Sequence, residues 1–390
     1  MSRLLRGLFI SILLQSCLPV FGQVGQSETF DIATWNIEWF GSSSNGPFND
    51  ERQVDNVRDI IRSSRVELWA VQEIANIQRF DQLLDELGPE WTGQLATNSG
   101  TQRIGFIWDT RVVTKRSVRH VLESFSSEFA GRPPLQGEFG ITLPDTSFVV
   151  TAINVHMKAF GDASSYQRRV NAAQRIKNHI DFSSLSSSSV IFLGDLNDEL
   201  INSTYANQSS PYQIFLDDPD DYLALTLPLD QNNTATWVGS ANGSTLDHIL
   251  ISSELAPSVV PGSVSTLDSL RSVIGYTVNT SDHLPVHASF GRVIATTVQD
   301  ESSLPAPGIV SLYPAPTSGP LYLDFISDSS GWAMIQVFDL QGRMILQDDS
   351  RGAPLTRNRT TIDVSRLTPG VYMMRVSGSS GSDSRSFVVR

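Results

Sequence analysis

Apolar runs that read as buried strands end, repeatedly along this chain, in carboxylates, amides or imidazoles. The plainest case is SVIFLGDLND, residues 189–198. Val190, Ile191, Phe192 and Leu193 suit a strand covered on both faces, and Gly194, Asp195, Leu196, Asn197 and Asp198 follow at once. The same pattern recurs in TWNIEWF (Asn36, Glu38), VQEI (Glu73), NVHMKA (Asn154, His156, Lys158), LDHIL (Asp247, His248) and SDHLPVH (Ser281, Asp282, His283). A fold that brings these strand ends together would concentrate carboxylates, two or three histidines and two amides at one place.

Between the strands, ERQVDNVRDIIRSS carries Val54, Val57, Ile60 and Ile61 at helical spacing, and SYQRRVNAAQRIKNHI reads as a helix with a basic face. Helical segments separate only some of the strands. The expected class is therefore α/β, with two packed sheets flanked by helices in four layers, rather than a simple parallel βαβ array.

The flanks read differently. Residues 1–22 have a signal peptide's pattern. Arg3 and Arg6 precede an apolar core, Leu8 to Leu14, that is too short to span a bilayer, and VFG before Gln23 suits cleavage. LQSC only weakly resembles a lipoprotein box, because Gln15 is unsuitable there. The one cysteine, Cys17, lies in this segment, so the mature chain is expected to hold no disulfide, thiol nucleophile or cysteine zinc site. Residues 23–293 form the expected α/β domain. A Ser-, Pro- and acid-rich linker follows at 294–308, and 309–390 read as a small all-β sandwich of about seven strands.

Charge narrows the function. The formal net charge is −13 over 390 residues. Ile309–Arg390 holds 7 acids and 8 bases, so the acidity belongs to the α/β part. Long-range attraction to a polyanion is not what such a domain is built for. Clustered carboxylates instead need raised pKa values or a cation. All-oxygen donors with few histidines suit Mg²⁺, with Mn²⁺ or Ca²⁺ as alternatives. A divalent ion beside amide donors and an Asp–His pair points to hydrolysis of a phosphate ester.

Taken in chain order, and with LDHIL and SDHLPVH counted as one pair, the five segments resemble the endonuclease/exonuclease/phosphatase superfamily across roughly Thr29 to Val293, with GDLN and SDH the most discriminating pieces. The resemblance implies Glu73 as principal metal ligand, Glu38 as a further ligand, and Asp282 binding metal or orienting His283. Asn36 would orient the phosphate and Asp195 would position or deprotonate the attacking water. Asn197 would touch phosphate or nucleophile, Asp247 would pair with His283, and His156 would face the phosphate and leaving group. In pancreatic-type nucleases that histidine is backed by a glutamate, and the nearest equivalent here is Gln102, which favours phosphate binding over proton donation by His156. Lys158, Arg168 and Arg169 would form a cationic arm, and Asn154 would join them at the substrate. The expected activity is endonucleolytic cleavage of extracellular DNA or RNA. A lipid head-group phosphodiesterase or phosphomonoesterase of the same fold, and a non-catalytic surface-binding protein, stand as alternatives.

Three motifs of the tail resemble the type IX secretion sorting domain. They carry Tyr313, Pro314 and Pro316; Asp339, Gly342 and Arg343; and Leu367, Gly370 and Tyr372, with Ala315 where relatives usually have Asn. This resemblance implies secretion or outer-surface display through that machinery. In the opening motif, Gly194 is expected to let the chain turn, Leu196 to return to the core, and Asp198 to support the turn.

Overall fold

The computed structural model describes residues 28–97, 100–186, 188–291, 308–313, 316–327, 330–339, 343–352, 356–378 and 381–390. The signal-peptide segment with Cys17, nearly all of the linker, and Pro314, Ala315 and Gly342 of the tail motifs lie outside the described residues. The chain forms two compact units, the second of them holding the all-β tail.

In the first unit, two six-stranded sheets pack face to face. The first sheet runs β11-β12-β1-β2-β4-β3. Its strands are β1 (Phe30–Phe40), β2 (Leu68–Ile74), β3 (Trp91–Leu95), β4 (Arg103–Asp109), β11 (Ser265–Thr266) and β12 (Val286–Phe290). The second runs β5-β6-β7-β8-β10-β9, made from β5 (Val113–His120), β6 (Leu135–Leu143), β7 (Thr146–His156), β8 (Val190–Asp195), β9 (Tyr222–Ala224) and β10 (Asp247–Ser252). Each sheet has one parallel pair at its centre, β1 with β2 and β7 with β8, and the remaining pairings are antiparallel.

Strand alternation decides which residues meet between the sheets. Ile32 of β1, Leu68 and Ala70 of β2, Val150 and Ala152 of β7, Ile191 and Leu193 of β8, and Ile249 and Ile251 of β10 share one buried cluster. Every second residue onward is polar: Asn36, Gln72, Asn154 then His156, Asp195 and Asp247. Core and polar site are thus two ends of the same face. Complete burial of each large aliphatic or aromatic side chain there contributes roughly 1.5–3 kcal/mol, which anchors the polar end.

The outer face of the first sheet carries α1 (Asp50–Ser64) and α2 (Ile77–Leu87). Val54, Val57, Ile60 and Ile61 of α1 and Phe80 and Leu83 of α2 pack on Trp35, Trp69 and Val71. Asn49 caps α1 by accepting from Arg52 N, and Asn76 caps α2 by accepting from Arg79 N. The long α3 (Ala163–Asp181) buries Ala172, Ala173, Ile176 and Ile180. Two packed sheets with outer helices make the four-layer α/β sandwich.

Gly194 corrects one expectation. It lies inside β8, opposite His248 and Val155, and does not turn the chain. At φ +147° a Cβ there would sit 2.1 Å from Val155 O, so glycine is required for the close approach of β7 and β8.

The second unit consists of β13 (Gly308–Tyr313), β14 (Pro320–Ile326), β15 (Trp332–Phe338), β16 (Met344–Arg351), β17 (Arg357–Asp363), β18 (Gly370–Gly378) and β19 (Gly381–Val389). They form a three-stranded sheet, β13-β14-β17, and a four-stranded one, β16-β15-β18-β19, around a core including Leu321, Phe325, Ile335, Val337, Met374 and Val376. This is the seven-stranded all-β arrangement that the alternating tail sequence predicts.

Candidate active site

The parallel pairs leave the carboxyl ends of β1, β2, β7 and β8 on one edge, and the antiparallel partners bring the start of β10 and the approach to β12 to that same edge. Register makes this concrete: Asp195 pairs with His156 on one side and Asp247 on the other. Asn36, Glu38, Glu73, His156, Asp195, Asn197, Asp282 and His283 all line one cleft of about 480 Å³. A hollow of about 520 Å³ beside Arg271 and Ile274 is lined by no carboxylate and no imidazole, so it lacks the chemistry.

Two irregular strands aim the glutamates. The β1–β2 register shifts between Asn36 and Phe40, and the β2–β4 register between Val71 and Ile74. Glu38, Trp39 and Glu73 have φ of +31°, +47° and +62°, a left-handed region that costs these residues energy. The distortions are held by specific bonds. Trp39 N donates to Glu73 Oε2 at 3.0 Å, and Asp282 N to Glu38 Oε2 at 3.0 Å. Gln53, wholly buried on α1, donates to the carbonyls of Ile37, Glu38 and Thr280 and accepts from Gly41 N.

Asn36 is the hub. Its Nδ2 donates to Asp195 Oδ2 at 2.9 Å and to Glu73 Oε1 at 3.2 Å, joining the two sheets at the cleft floor. Asn197, at φ +53°, sends its backbone N–H to Asp195 Oδ1 at 2.9 Å. Burial raises the Asp195 carboxyl above its usual range, with His283 opposing and Asp247 and Glu73 adding to the rise.

The two histidines are shifted in opposite directions. His283 Nδ1 donates to Asp247 Oδ2 at 2.7 Å, while its Nε2 stands 3.9 Å from Asp195 Oδ2. Burial alone would lower its pKa, but Asp247, then Asp195 and Asp282, overcome that and push it up to about 10. His156 is lowered well below the usual range, by burial first and then by the charges of Arg132, His283 and Lys158. Its Nε2 faces Asp195 at 3.5 Å and Glu73 at 3.7 Å, and its buried Nδ1 finds no partner among the described residues. Gln102 does not back it. Gln102 Oε1 instead accepts from Arg132 Nη1 at 3.1 Å, and Arg132 also reaches the carbonyls of His156 and Met157. Burial and the neighbouring cations thus disfavour a charged imidazole, and Gln102 does not give it the carboxylate support that the resemblance would place there.

A divalent cation fits this donor set. Three carboxylates, Glu38, Glu73 and Asp282, open on the same cleft. Glu38 is pushed up to about 7, by burial and then by Asp282, with Glu73 adding to the rise. Burial and the neighbouring carboxylates both disfavour its charged form, and a cation placed among them would oppose that rise. Asp195, Asp247 and His283 also come within 4.8 Å of one another. There, however, the imidazole nitrogen nearest Asp247 is spent on their hydrogen bond, so that group is a charge network rather than a cage.

Two of the proposed substrate contacts are corrected. Arg169 is fully buried. Its Nε and Nη2 meet Asp198 Oδ2 at 2.9 Å, and its Nη1 donates to the carbonyls of Lys158 and Phe160. It cannot reach a substrate. Asn154 is also fully buried, bonded to Val71 O, Gly105 O and Gln72 Nε2, where it ties the sheets together one pleat below His156. Arg168 is partly exposed and donates to Ser127 O, and Lys158 lies over the Phe160 ring. His248 is a buried structural bridge to Thr226, Asp198 and Thr245.

Residues 33–283 match the model of the Endonuclease/Exonuclease/phosphatase family. The chain belongs to that family. Members are phosphoester hydrolases, mostly nucleases, that depend on divalent metals. Residues 311–390 match the secretion system C-terminal sorting domain, which makes the tail a type IX sorting domain and indicates secretion with outer-surface localisation. Among the described residues no helix is long and apolar enough to cross a membrane. No curated protein matches the chain.

Solved structures share the family fold. A humanized D. rerio TDP2 carrying 14 mutations aligns at 15% identity and TM-score 0.50, over 68% of this chain and 100% of that one. An AP endonuclease from Archaeoglobus fulgidus aligns at 15% and 0.50 over 67% and 99%. An endonuclease/exonuclease/phosphatase protein from Bacteroides vulgatus aligns at 15% and 0.50 over 67% and 98%.

Sequence reasoning missed Gln53, Arg132, Trp237 and Thr236. Trp237 Nε1 donates to Asp282 Oδ2 at 2.8 Å, and Thr236 Oγ1 to Asp247 Oδ2 at 2.7 Å. Of these only Gln53 left a trace in sequence, as a polar residue in the apolar stripe of α1.

Proposed function

We propose that this chain is a secreted, Mg²⁺-dependent phosphodiesterase that cleaves extracellular DNA or RNA endonucleolytically. One observation carries the reading: Asn36 binds Asp195 and Glu73 at once, in a cleft that also holds His156 and the Asp247-bound His283. Glu73, Glu38 and Asp282 would hold the ion, and Mg²⁺ bound there supplies charge neutralisation and Lewis acidity toward a phosphate oxygen.

The protein's own groups divide the remaining work. The Asp195 carboxylate, fixed by Asn36 and the Asn197 N–H, orients the attacking water and takes up its proton. His283, held by Asp247, brings a positive N–H to the charge that builds on phosphate. His156 offers a neutral hydrogen bond instead of a proton, in keeping with Gln102.

The test is to incubate the purified chain with Mg²⁺ and plasmid, sphingomyelin or a sugar phosphate, with and without chelator. Nicked or linear plasmid that disappears with chelator supports the reading. Asp195→Ala should lower kcat roughly 10²- to 10⁴-fold. Full metal-dependent cleavage by that variant overturns the mechanism, and turnover of sphingomyelin or sugar phosphate alone overturns the substrate class.

A further inference from the structure

Phe160 is a large aromatic left 72% exposed, yet its backbone is held by a buried side chain. It lines the same cleft as Asp195, His156 and Glu73. Its φ of +84° is unfavourable for a residue with a side chain. The peptide stays there because Arg169 Nη1 donates to Lys158 O at 2.7 Å and Phe160 O at 2.9 Å. Arg169 is itself pinned by Asp198, whose other oxygen accepts from Thr204 N at 2.6 Å on the facing rim loop. A buried ion pair and a strained peptide thus fix an apolar ring in solvent. Ordinary packing explains none of this, since the ring buries little.

The ring's surroundings indicate what it meets. The Lys158 ammonium sits 4.2 Å from the ring centroid. The segment continues through Ala159 and Gly161 to the exposed Asp162. A single aromatic between charged neighbours is not the broad apolar patch that a lipid surface requires. Lys158 covers one face of the ring, and a residue still 72% exposed keeps room for a base on the other, so ring and cation at the edge of a phosphate-hydrolysing cleft match a base and its own phosphate.

We propose that Phe160 stacks an unpaired nucleobase next to the scissile phosphate while Lys158 neutralises the phosphate of that nucleotide. This inference rests on the reading of the cleft as a nucleic-acid phosphodiesterase, and it names single-stranded or locally unstacked nucleic acid as the substrate class. Every base has a π face, so the ledge tolerates any base but requires one that has left its stack.

The experiment uses the full chain with Mg²⁺ and a single-stranded oligonucleotide containing one cleavable phosphodiester. Parallel substrates carry an abasic residue on one or the other side of that bond, and a small base-free phosphodiester serves as reference. Phe160→Ala should lower the oligonucleotide-to-reference ratio of kcat/KM about 5- to 150-fold, the range expected for one base–aromatic stack. Phe160→Trp should restore it, which excludes misfolding as the cause. In the wild type the abasic residue on the stacking side should cost a similar factor, and in Phe160→Ala that cost should vanish. Equal losses on oligonucleotide and reference, or an abasic penalty that persists in Phe160→Ala, overturn the ledge and leave the nuclease reading intact. A wild type that hydrolyses the reference but no oligonucleotide overturns both.

Discussion

His283 donates from Nδ1 to Asp247 Oδ2 at 2.7 Å, and both residues are buried. The bond fixes the ring so that Nε2 points toward Asp195, 3.9 Å away. Asp247 is itself held by Thr236 Oγ1, so the imidazole's orientation is set two bonds deep. Asp247→Asn keeps the shape and removes the charge. It should lower kcat roughly 10²- to 10⁴-fold, with KM changing much less, because His283 would lose the ion that keeps it positive. Steady-state kinetics on any cleaved phosphodiester checks this. Near-wild-type kcat in a folded variant would show that His283 does not stabilise developing charge.

Gln53 never touches the cleft, but its four bonds hold the bulge that presents Glu38. Gln53→Leu removes those bonds with little change of volume. The Mg²⁺ concentration for half-maximal activity should rise about 10- to 100-fold, as when groups supporting a metal ligand are lost, while activity at saturating Mg²⁺ recovers much of the wild-type level. A metal titration of activity, set beside the unfolding midpoint of the metal-free variant, separates this positioning role from general destabilisation.

The site was legible where a polar residue continues the alternation of a core strand. Ile191-Leu193-Asp195 and Ile251-Ile249-Asp247 hold one parity from the middle of the sandwich to its edge. The same rule carried Asn154 too far. It shares parity with His156 but lies one pleat deeper, where the opposite sheet claims its amide. Arg168 and Arg169 are neighbours with opposite fates, and helical phase distinguishes them. Arg169 falls in line with the buried Ser165, Ala172, Ala173 and Ile176, whereas Arg168 does not. What phase cannot supply is the counter-ion, since Asp198 is 29 residues away and joins Arg169 only in the fold. Arg132, Thr236 and Trp237 act from segments outside the regular strands and helices, where no periodicity marks them.

Because Arg169 and Asp198 are a buried pair, removing either charge alone leaves the other stranded. Asp198→Ala should destabilise the first unit by about 3–5 kcal/mol. Asp198→Ala with Arg169→Met should cost less than the two single changes added together, because the double variant leaves no orphan charge. Denaturant unfolding of the single and double variants measures the coupling. Strict additivity would mean that the pair contributes only through separate contacts.

Glu67 lies at the opposite end of the sandwich from the cleft, where its Oε2 accepts from Asp31 N at 2.8 Å. Its carboxyl is pushed up to about 8, by burial first and then by the charge of Asp31, with Asp109 adding to the rise. Unfolded, it titrates near its ordinary 4.5. Between these values only the folded state keeps the proton, so the stability that depends on it is fully present below about 4.5 and is lost as pH rises through about 8. Glu67→Gln can keep the acceptor for Asp31 N and does not ionise. The variant should therefore gain on the wild type as pH rises from 5 to 9, and the gain should level off above 8. Denaturation midpoints of the two proteins across that range decide the matter, and a stability difference that does not change with pH would assign the burial of Glu67 no ionisation cost.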